Sequence, residues 1–252
     1  MSSRENIPLL SPIDICLLAG KIMLQSGAET YRVEDTMIRI AHALGLSSSH
    51  SYVTPTGIIF QAGGPEAAKL IRIAERTTDL DKVAAVNSIS RKLVAGEINA
   101  EEAAALLRDI DESSHAYSVG LQVTAAAISS GCFAIMFGGS GYDFLPALIS
   151  GGLGFAAVIL FHRLINVKFF AEFTTSLLIG LVSYFFIYLG LGRELDKIII
   201  GSVMPLVPGL LITNAVRDLM AGHLVSGLSR GAEALLTAFA IGAGVAAVFT
   251  FL

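Results

Sequence analysis

The sequence predicts an α-helical polytopic membrane bundle of five spans with an N-terminal cytoplasmic α+β domain. Three observations carry that prediction. The 252 residues are 54% hydrophobic and only 15% charged, well below the roughly 25% charged of an ordinary soluble chain. Composition breaks near Ser118: the chain is charged before it, and long apolar stretches fill nearly everything after it. One of those stretches, Ile198 to Met220, is interrupted by Met204-Pro205-Leu206-Val207-Pro208-Gly209 and continues into Thr213, Asn214, Arg217 and Asp218. A soluble domain followed by apolar segments, one of them broken and polar, points to transport rather than to a soluble enzyme. The expected boundaries are 1–116 for the α+β domain and 117–252 for the five-helix part.

Several classes are disfavoured. The formal net charge is -4 and no basic tract occurs, so nucleic acid is not an expected partner. Cys16 and Cys132 are too far apart in sequence and predicted environment for a disulfide or a thiolate metal site. His42, His50 and His115 show no metal spacing, and no phosphate loop supports ATP-driven pumping. Neither a cofactor nor a metal is expected; the expected partners are the lipid bilayer and a small-molecule substrate. The first residues lack a clean apolar segment with a small-residue cleavage site, so no signal peptide is expected and the first domain should remain in the cytoplasm.

Within the first domain, Ile13 to Gln25 has helical periodicity. Ser26 and Glu29 fit a capping box for the next helix, whose apolar face would be Val33, Met37, Ile40, Ala41 and Leu44, with Gly45 as terminator. The period then shortens. Ser51 to Thr54 and Gly57 to Phe60 read as strands around Pro55-Thr56, with Leu70 to Ala74 a weaker third. Asp79 to Val94 returns to helix, ended by Gly96, and Asn99 with Glu102 caps a last helix through Ile110.

A span needs about 20 mainly apolar residues. Five segments qualify: Ser118 to Gly138, Phe144 to Phe161, Phe169 to Leu191, Ile198 to Leu219 and Ala232 to Leu252. Small residues at Ala125 to Ala127, at Gly151, Gly152 and Gly154, and at Gly242 and Gly244 permit close helix approach. Arg163, Lys168, Arg217 and Arg230 fall in connections on the side of the first domain. The other side carries Arg193 and Lys197, offset by Glu194 and Asp196. This bias places the first domain inside and the C-terminus outside.

Three motifs then look familiar: Ser26-Gly27-Ala28-Glu29-Thr30-Tyr31-Arg32-Val33-Glu34, Thr54-Pro55-Thr56-Gly57-Ile58, and Val207-Pro208-Gly209 through Asn214-Ala215-Val216-Arg217-Asp218. In this order they resemble the threonine/serine exporter family over nearly the whole chain. The resemblance implies a soluble domain plus five spans, paired with a second five-span module that is fused in some members and separate in others. Because the chain ends at Leu252, the split form is expected, with a second five-span subunit or an oligomer as partner. One split branch is assigned succinate, so the resemblance implies export of a small carboxylate-bearing metabolite (threonine, serine or a dicarboxylate such as succinate) from the cytoplasm, across the cell inner membrane.

The candidate substrate-binding residues are Pro205, Pro208, Gly209, Thr213, Asn214, Arg217 and Asp218. The two prolines remove backbone donors. A second half-helix would start near Pro208, its positive end suited to a carboxylate. Thr213 and Arg217, and Asn214 and Asp218, are i,i+4 pairs on adjacent rows and form one polar face. The bland readings are a packing kink and, for Arg217, an interfacial anchor. Asp218 is suited either to binding a proton or to pairing with Arg230, and His223 reads as a loop residue. Glu233 is a carboxylate just inside the last span and a candidate proton or gating group, as are Glu29 and Glu34; Glu172 has the same ambiguity. The bland reading of Glu29, Arg32 and Glu34 is a helix cap plus a surface charge cluster. Thr54 and Thr56 read as turn formers. Thr174, Thr175, Ser176 and Ser183 read as packing residues. Two rivals stay open at this point: a membrane-anchored enzyme using Glu29, Glu34 and a histidine, and a non-transporting scaffold subunit.

Overall fold

The computed structural model describes residues 10–251 apart from Glu66, 114–116, 165, 166 and 168. His115, Lys168 and Leu252, used above, lie outside the described residues. The chain divides into two compact units. One is Met1–Ala116 with Thr213–Gly231; the other is Tyr117–Ile212 with Ala232–Leu252. Residues 213–231 therefore group with the N-terminal residues.

The first unit begins with α1 (Pro12–Gln25) and α2 (Thr30–Ala43), followed by β1 (His50–Thr54), β2 (Gly57–Gln61), β3 (Lys69–Arg72), α3 (Leu80–Val94) and α4 (Ala100–Glu112). Ser11 caps α1, accepting from the Asp14 amide at 3.3 Å with proline in the first turn, a pattern that satisfies orphan donors without spending an intrahelical bond. Asn99 and Glu102 form the expected reciprocal box on α4. The strands pair antiparallel in the order β1-β2-β3, with Val53 opposite Ile58 and Ile59 opposite Leu70. Thr54 Oγ1 donates to the Gly57 carbonyl at 3.3 Å across the turn. One face of the sheet is apolar: Val53, Ile58 and Phe60 are buried and join Ile15, Leu24, Val33, Met37, Ile40, Val86 and Leu107 in one core. Burying such side chains contributes roughly 1.5–3 kcal/mol each.

The expected capping box at Ser26 and Glu29 is not formed. Ser26 is the C-cap of α1, and α2 starts at Thr30 with Glu29 as an N-cap that makes no side-chain cap bond. Gly27 lies between them at φ 90°, a left-handed turn that keeps the two helices separate.

In the second unit, α5 (Val119–Met136), α6 (Gly141–Leu164) and α7 (Phe170–Tyr188) are long and apolar enough to cross a membrane, as is α10 (Leu224–Phe251). Between them lie α8 (Leu195–Val203), a single 3-10 turn at Met204–Leu206, and α9 (Gly209–Met220). The two halves of this segment bend by 61° at the break, so among the described residues the helices long and apolar enough to cross a membrane number four, or five if the bent pair counts as one. Pro205 and Pro208 supply the physical cause, since neither can donate an amide.

Three helices start earlier than expected: α8 at Leu195 rather than Ile198, and α6 and α10. α6 begins at Gly141 because Asp143 is fully buried in its first turn and accepts from the Ser140 amide and hydroxyl at 2.8 and 2.6 Å. The same carboxylate accepts from the amides of Arg193 and Glu194 at 2.7 and 3.1 Å, and the Arg193 guanidinium sits 4.0 Å over the Tyr142 ring. One aspartate thus ties two interhelical connections together. α10 has 28 residues, about 42 Å at 1.5 Å per residue, longer than a hydrocarbon core of about 30 Å. Its first two turns belong to the first unit; residues 232–251 remain in the second.

Small residues let the apolar helices approach. A Cβ on Gly201 of α8 would lie 2.7 Å from both the Ala134 amide nitrogen and the Ser130 carbonyl oxygen of α5. That neighbour is backbone and cannot yield, so the α5–α8 contact requires glycine. Glu172 in α7 lies 3.4 Å from His162.

Candidate functional site

The first unit carries a buried charged cluster, built on the turn Gly27-Ala28-Glu29-Thr30. Four residues of the 213–231 segment bond to this turn in succession. Asn214 Nδ2 donates to the Gly27 carbonyl at 2.8 Å, and Arg230 Nη2 to the Ala28 carbonyl at 2.8 Å. Arg217 forms an ion pair with the Glu29 carboxylate. Asp218 accepts from the Thr30 amide at 2.9 Å and its hydroxyl at 3.0 Å. The cap that α2 was expected to draw from Ser26 is thus supplied by Asp218, 188 residues away. A carboxylate suits that place, because it meets orphan amides at the positive end of the helix.

The local sequence sets this up. Asn214 and Asp218 are one helical turn apart on α9 and share a face. Gly222 closes the turn between α9 and α10 with φ 86°, and this returns Ser226 and Arg230 to the same side. Ser226 Oγ donates to the Val53 carbonyl at 3.3 Å. Asp218 is 0% and Arg230 3% exposed, and they face each other at 3.3 Å. Removing two charges from water costs several kcal/mol per ion unless each is paired and bonded; here the two charges face each other, Asp218 accepts from Thr30 and Arg230 donates through Nη2.

Glu29 is 4% exposed, which corrects its reading as part of a surface cluster. Its carboxylate accepts from Arg32 at 3.1 Å as well as pairing with Arg217. Burial pushes its carboxyl up, but its own amide and the two guanidiniums outweigh burial and hold it below the ordinary glutamate value. Glu34 goes the other way. It accepts from the Val53 amide at 2.8 Å and stands 3.8 Å from His223 Nδ1. Burial raises its pKa more than Val53 and His223 lower it, and the Asp218 charge adds to the rise. Three carboxylates (Glu29, Glu34, Asp218) thus face three guanidiniums (Arg32, Arg217, Arg230), with His223 as a titratable neighbour.

The expected residues divide as follows. Asn214, Arg217, Asp218, Glu29 and Glu34 come together. Thr213 lies on the exposed side of α9. Pro205, Pro208, Gly209 and Glu233 belong to the second unit. Ser226 was not anticipated, and His223 was read only as a loop residue; no local pattern marks either. Among the described residues no group of His, Cys, Asp and Glu is arranged to hold a metal ion, and both cysteines are free thiols.

This arrangement can do two things chemically. It locks residues 213–231 onto the Gly27 turn through matched charges. It also leaves one guanidinium, Arg217 with its side chain 55% exposed, able to exchange its carboxylate partner for another.

The comparisons with known proteins bear on what such a cluster serves. No solved structure matches the chain. Among curated relatives, the chain is 22% identical over 237 residues to a protein of Mycobacterium tuberculosis named "Probable threonine/serine exporter", covering 92% of this chain and 45% of that protein. It is 25% identical over 239 residues to the "Threonine/serine exporter" of Corynebacterium glutamicum, covering 90% and 48%. The chain therefore spans about half the length of these two relatives. It is also 26% identical over 249 residues to the "Probable succinate transporter subunit YjjP" of Klebsiella aerogenes, covering 94% of this chain and 92% of that protein. The model of the threonine/serine exporter family matches residues 14–252. With both charged motifs inside that match, the chain belongs to the threonine/serine exporter family, a family of transporters rather than enzymes.

Proposed function

We propose that this chain is a subunit of a secondary exporter that moves a small carboxylate-bearing metabolite out of the cytoplasm. The cargo class is threonine and serine or a dicarboxylate such as succinate, in keeping with the names of the relatives. In this reading the chain is a multi-pass protein of the inner membrane, residues 1–116 lie in the cytoplasm, and a second five-span module completes the path.

The observation that carries the reading is the charge-matched cluster joining the family's two polar motifs. A substrate carboxylate engages Arg217 and displaces Glu29, with Asn214 and Thr213 offering further polar contacts. Losing the Arg217–Glu29 pair weakens the lock on the Gly27 turn, and Pro205, Pro208 and Gly209 let the broken segment swing. Asp218 and Arg230 keep the α2 end of the turn in register. Glu34, whose pKa is raised, takes up the proton in the coupling step. Glu29, held ionised, acts as the gate's counter-charge. Glu233 is the candidate proton group of the second unit. No step needs a cofactor or a metal.

The test is reconstitution of the chain into proteoliposomes, alone and with a co-purified five-span partner, with release of labelled threonine, serine and succinate measured under an imposed proton gradient. Release that requires this chain and the gradient supports the reading. A partner that transports equally well without this chain reduces it to a scaffold.

A further inference from the structure

A second polar site lies in the first unit, on the opposite row of α2. Arg32, Asp35, Thr36 and Arg39 recur at helical spacing along α2, and Asn87, Ser90 and Arg91 do the same along α3. The two rows face each other around a cavity of about 160 Å³ lined by these seven residues. Its hydroxyls are set deep: Thr36 is 4% and Ser90 3% exposed. Thr36 Oγ1 lies 3.3 Å from Asn87 Oδ1, and Asn87 Nδ2 donates to the Val83 carbonyl at 3.0 Å, so the floor of the cavity is fixed in place.

The charge of this lining is unbalanced. Arg39 is paired with Asp35 at 2.9 Å. Arg32 shares the Glu29 carboxylate with Arg217. Arg91 has no ion pair among the described residues. Three guanidiniums against one carboxylate leave the lining with an excess of positive charge, and guanidiniums over buried hydroxyls are the recognition chemistry of an oxyanion.

We infer that the α2–α3 cavity is a binding site for a small oxyanion, a carboxylate or a phosphate, held by Arg32, Arg39 and Arg91 over Thr36, Asn87 and Ser90. The site is separate from the Gly27–Asp218 cluster but linked to it through Arg32. An anion that draws Arg32 away removes one of the two guanidiniums that hold Glu29, and Glu29 then binds Arg217 more firmly. Occupancy therefore tightens the lock on the Gly27 turn. Binding itself does not depend on the proposed export; only the consequence of the link does.

The test uses the full-length protein in detergent, titrated at constant ionic strength with inorganic phosphate, succinate and, as a monovalent control, chloride, while thermal unfolding is followed. The expected result is a saturable rise in Tm with phosphate or succinate and none with chloride. Arg91→Gln should weaken that binding by about tenfold, the value of one charge-assisted bond, with the melting temperature of the ligand-free protein unchanged. Whichever of phosphate and succinate binds more tightly identifies the source. A chloride response equal to the others, or a wild-type response retained in both Arg91→Gln and Arg39→Gln, overturns the site. If binding is present but the efflux of threonine, serine and succinate is unaffected by the bound anion, the Arg32 link fails while the site stands.

Discussion

Truncating Asp218 should loosen the first unit more than any other single change in the cluster. Asp218→Ala removes the acceptor of the Thr30 amide and hydroxyl and leaves Arg230, 3% exposed, without the carboxylate it faces at 3.3 Å. An orphaned buried donor costs about 1–3 kcal/mol, and breaking a buried pair from one side costs about 3–5 kcal/mol. These overlap, so about 3–5 kcal/mol is the expected loss. Cys16 offers a reporter: it is fully buried in α1, and burial pushes its thiol up to about 12, so it reacts only when the unit opens. With the exposed Cys132 replaced by alanine, thiol labelling of Cys16 should rise by a factor of roughly 10² to 4 × 10³ in Asp218→Ala, at about 1.4 kcal/mol per tenfold. Adding Arg230→Met should restore part of the protection, because the buried guanidinium that lost its Asp218 partner is then gone while the Thr30 amide still lacks its acceptor. Equal labelling of wild type and Asp218→Ala, or no recovery in the double variant, would refute the claim that this pair holds the unit together.

Three further outcomes follow from the geometry. Gly201→Ala should cost about 1–3 kcal/mol by overpacking, read as a lower melting temperature in detergent; an unchanged value would mean that α5 and α8 do not meet at Ala134. Glu34 and Glu29 should give pH dependences of opposite sign. The raised Glu34 value means that its ionisation penalises the fold as pH rises above the ordinary 4.5, so Glu34→Gln should gain melting temperature over wild type as pH climbs from 4.5. The lowered Glu29 value means that its contribution is present above 4.5 and disappears as pH falls through the folded value, so Glu29→Gln should lose most against wild type at neutral pH and least in acid. Parallel curves for all three proteins would remove both assignments.

What was legible in the sequence is what local chemistry encodes. The 3.6-residue face of α2, the three strands, the Asn99 box and the prolines of the broken segment all depend on near neighbours, and all are present. The polar row Asn214, Arg217, Asp218 was legible too, because i,i+4 spacing is a local fact. Its partner was not. Gly27 to Thr30 lie some 187 residues upstream, and nothing in either motif states that one caps the other. The Ser26–Glu29 box failed for a related reason: the Ser-x-x-Glu pattern was there, but a left-handed Gly27 separated the two residues, and two arginines took the Glu29 carboxylate. Asp143 was passed over because an acidic residue between apolar helices reads as a loop, whereas four donors hold it inside.

The central claim is that the Asn214–Arg217 face binds the transported carboxylate. The most direct measurement is efflux of labelled threonine, serine and succinate from cells carrying Asn214→Ala or Arg217→Gln, at membrane abundance matched to wild type. Each variant should lose export by about tenfold, the value of one charge-assisted contact. Undiminished export from both variants would contradict that claim.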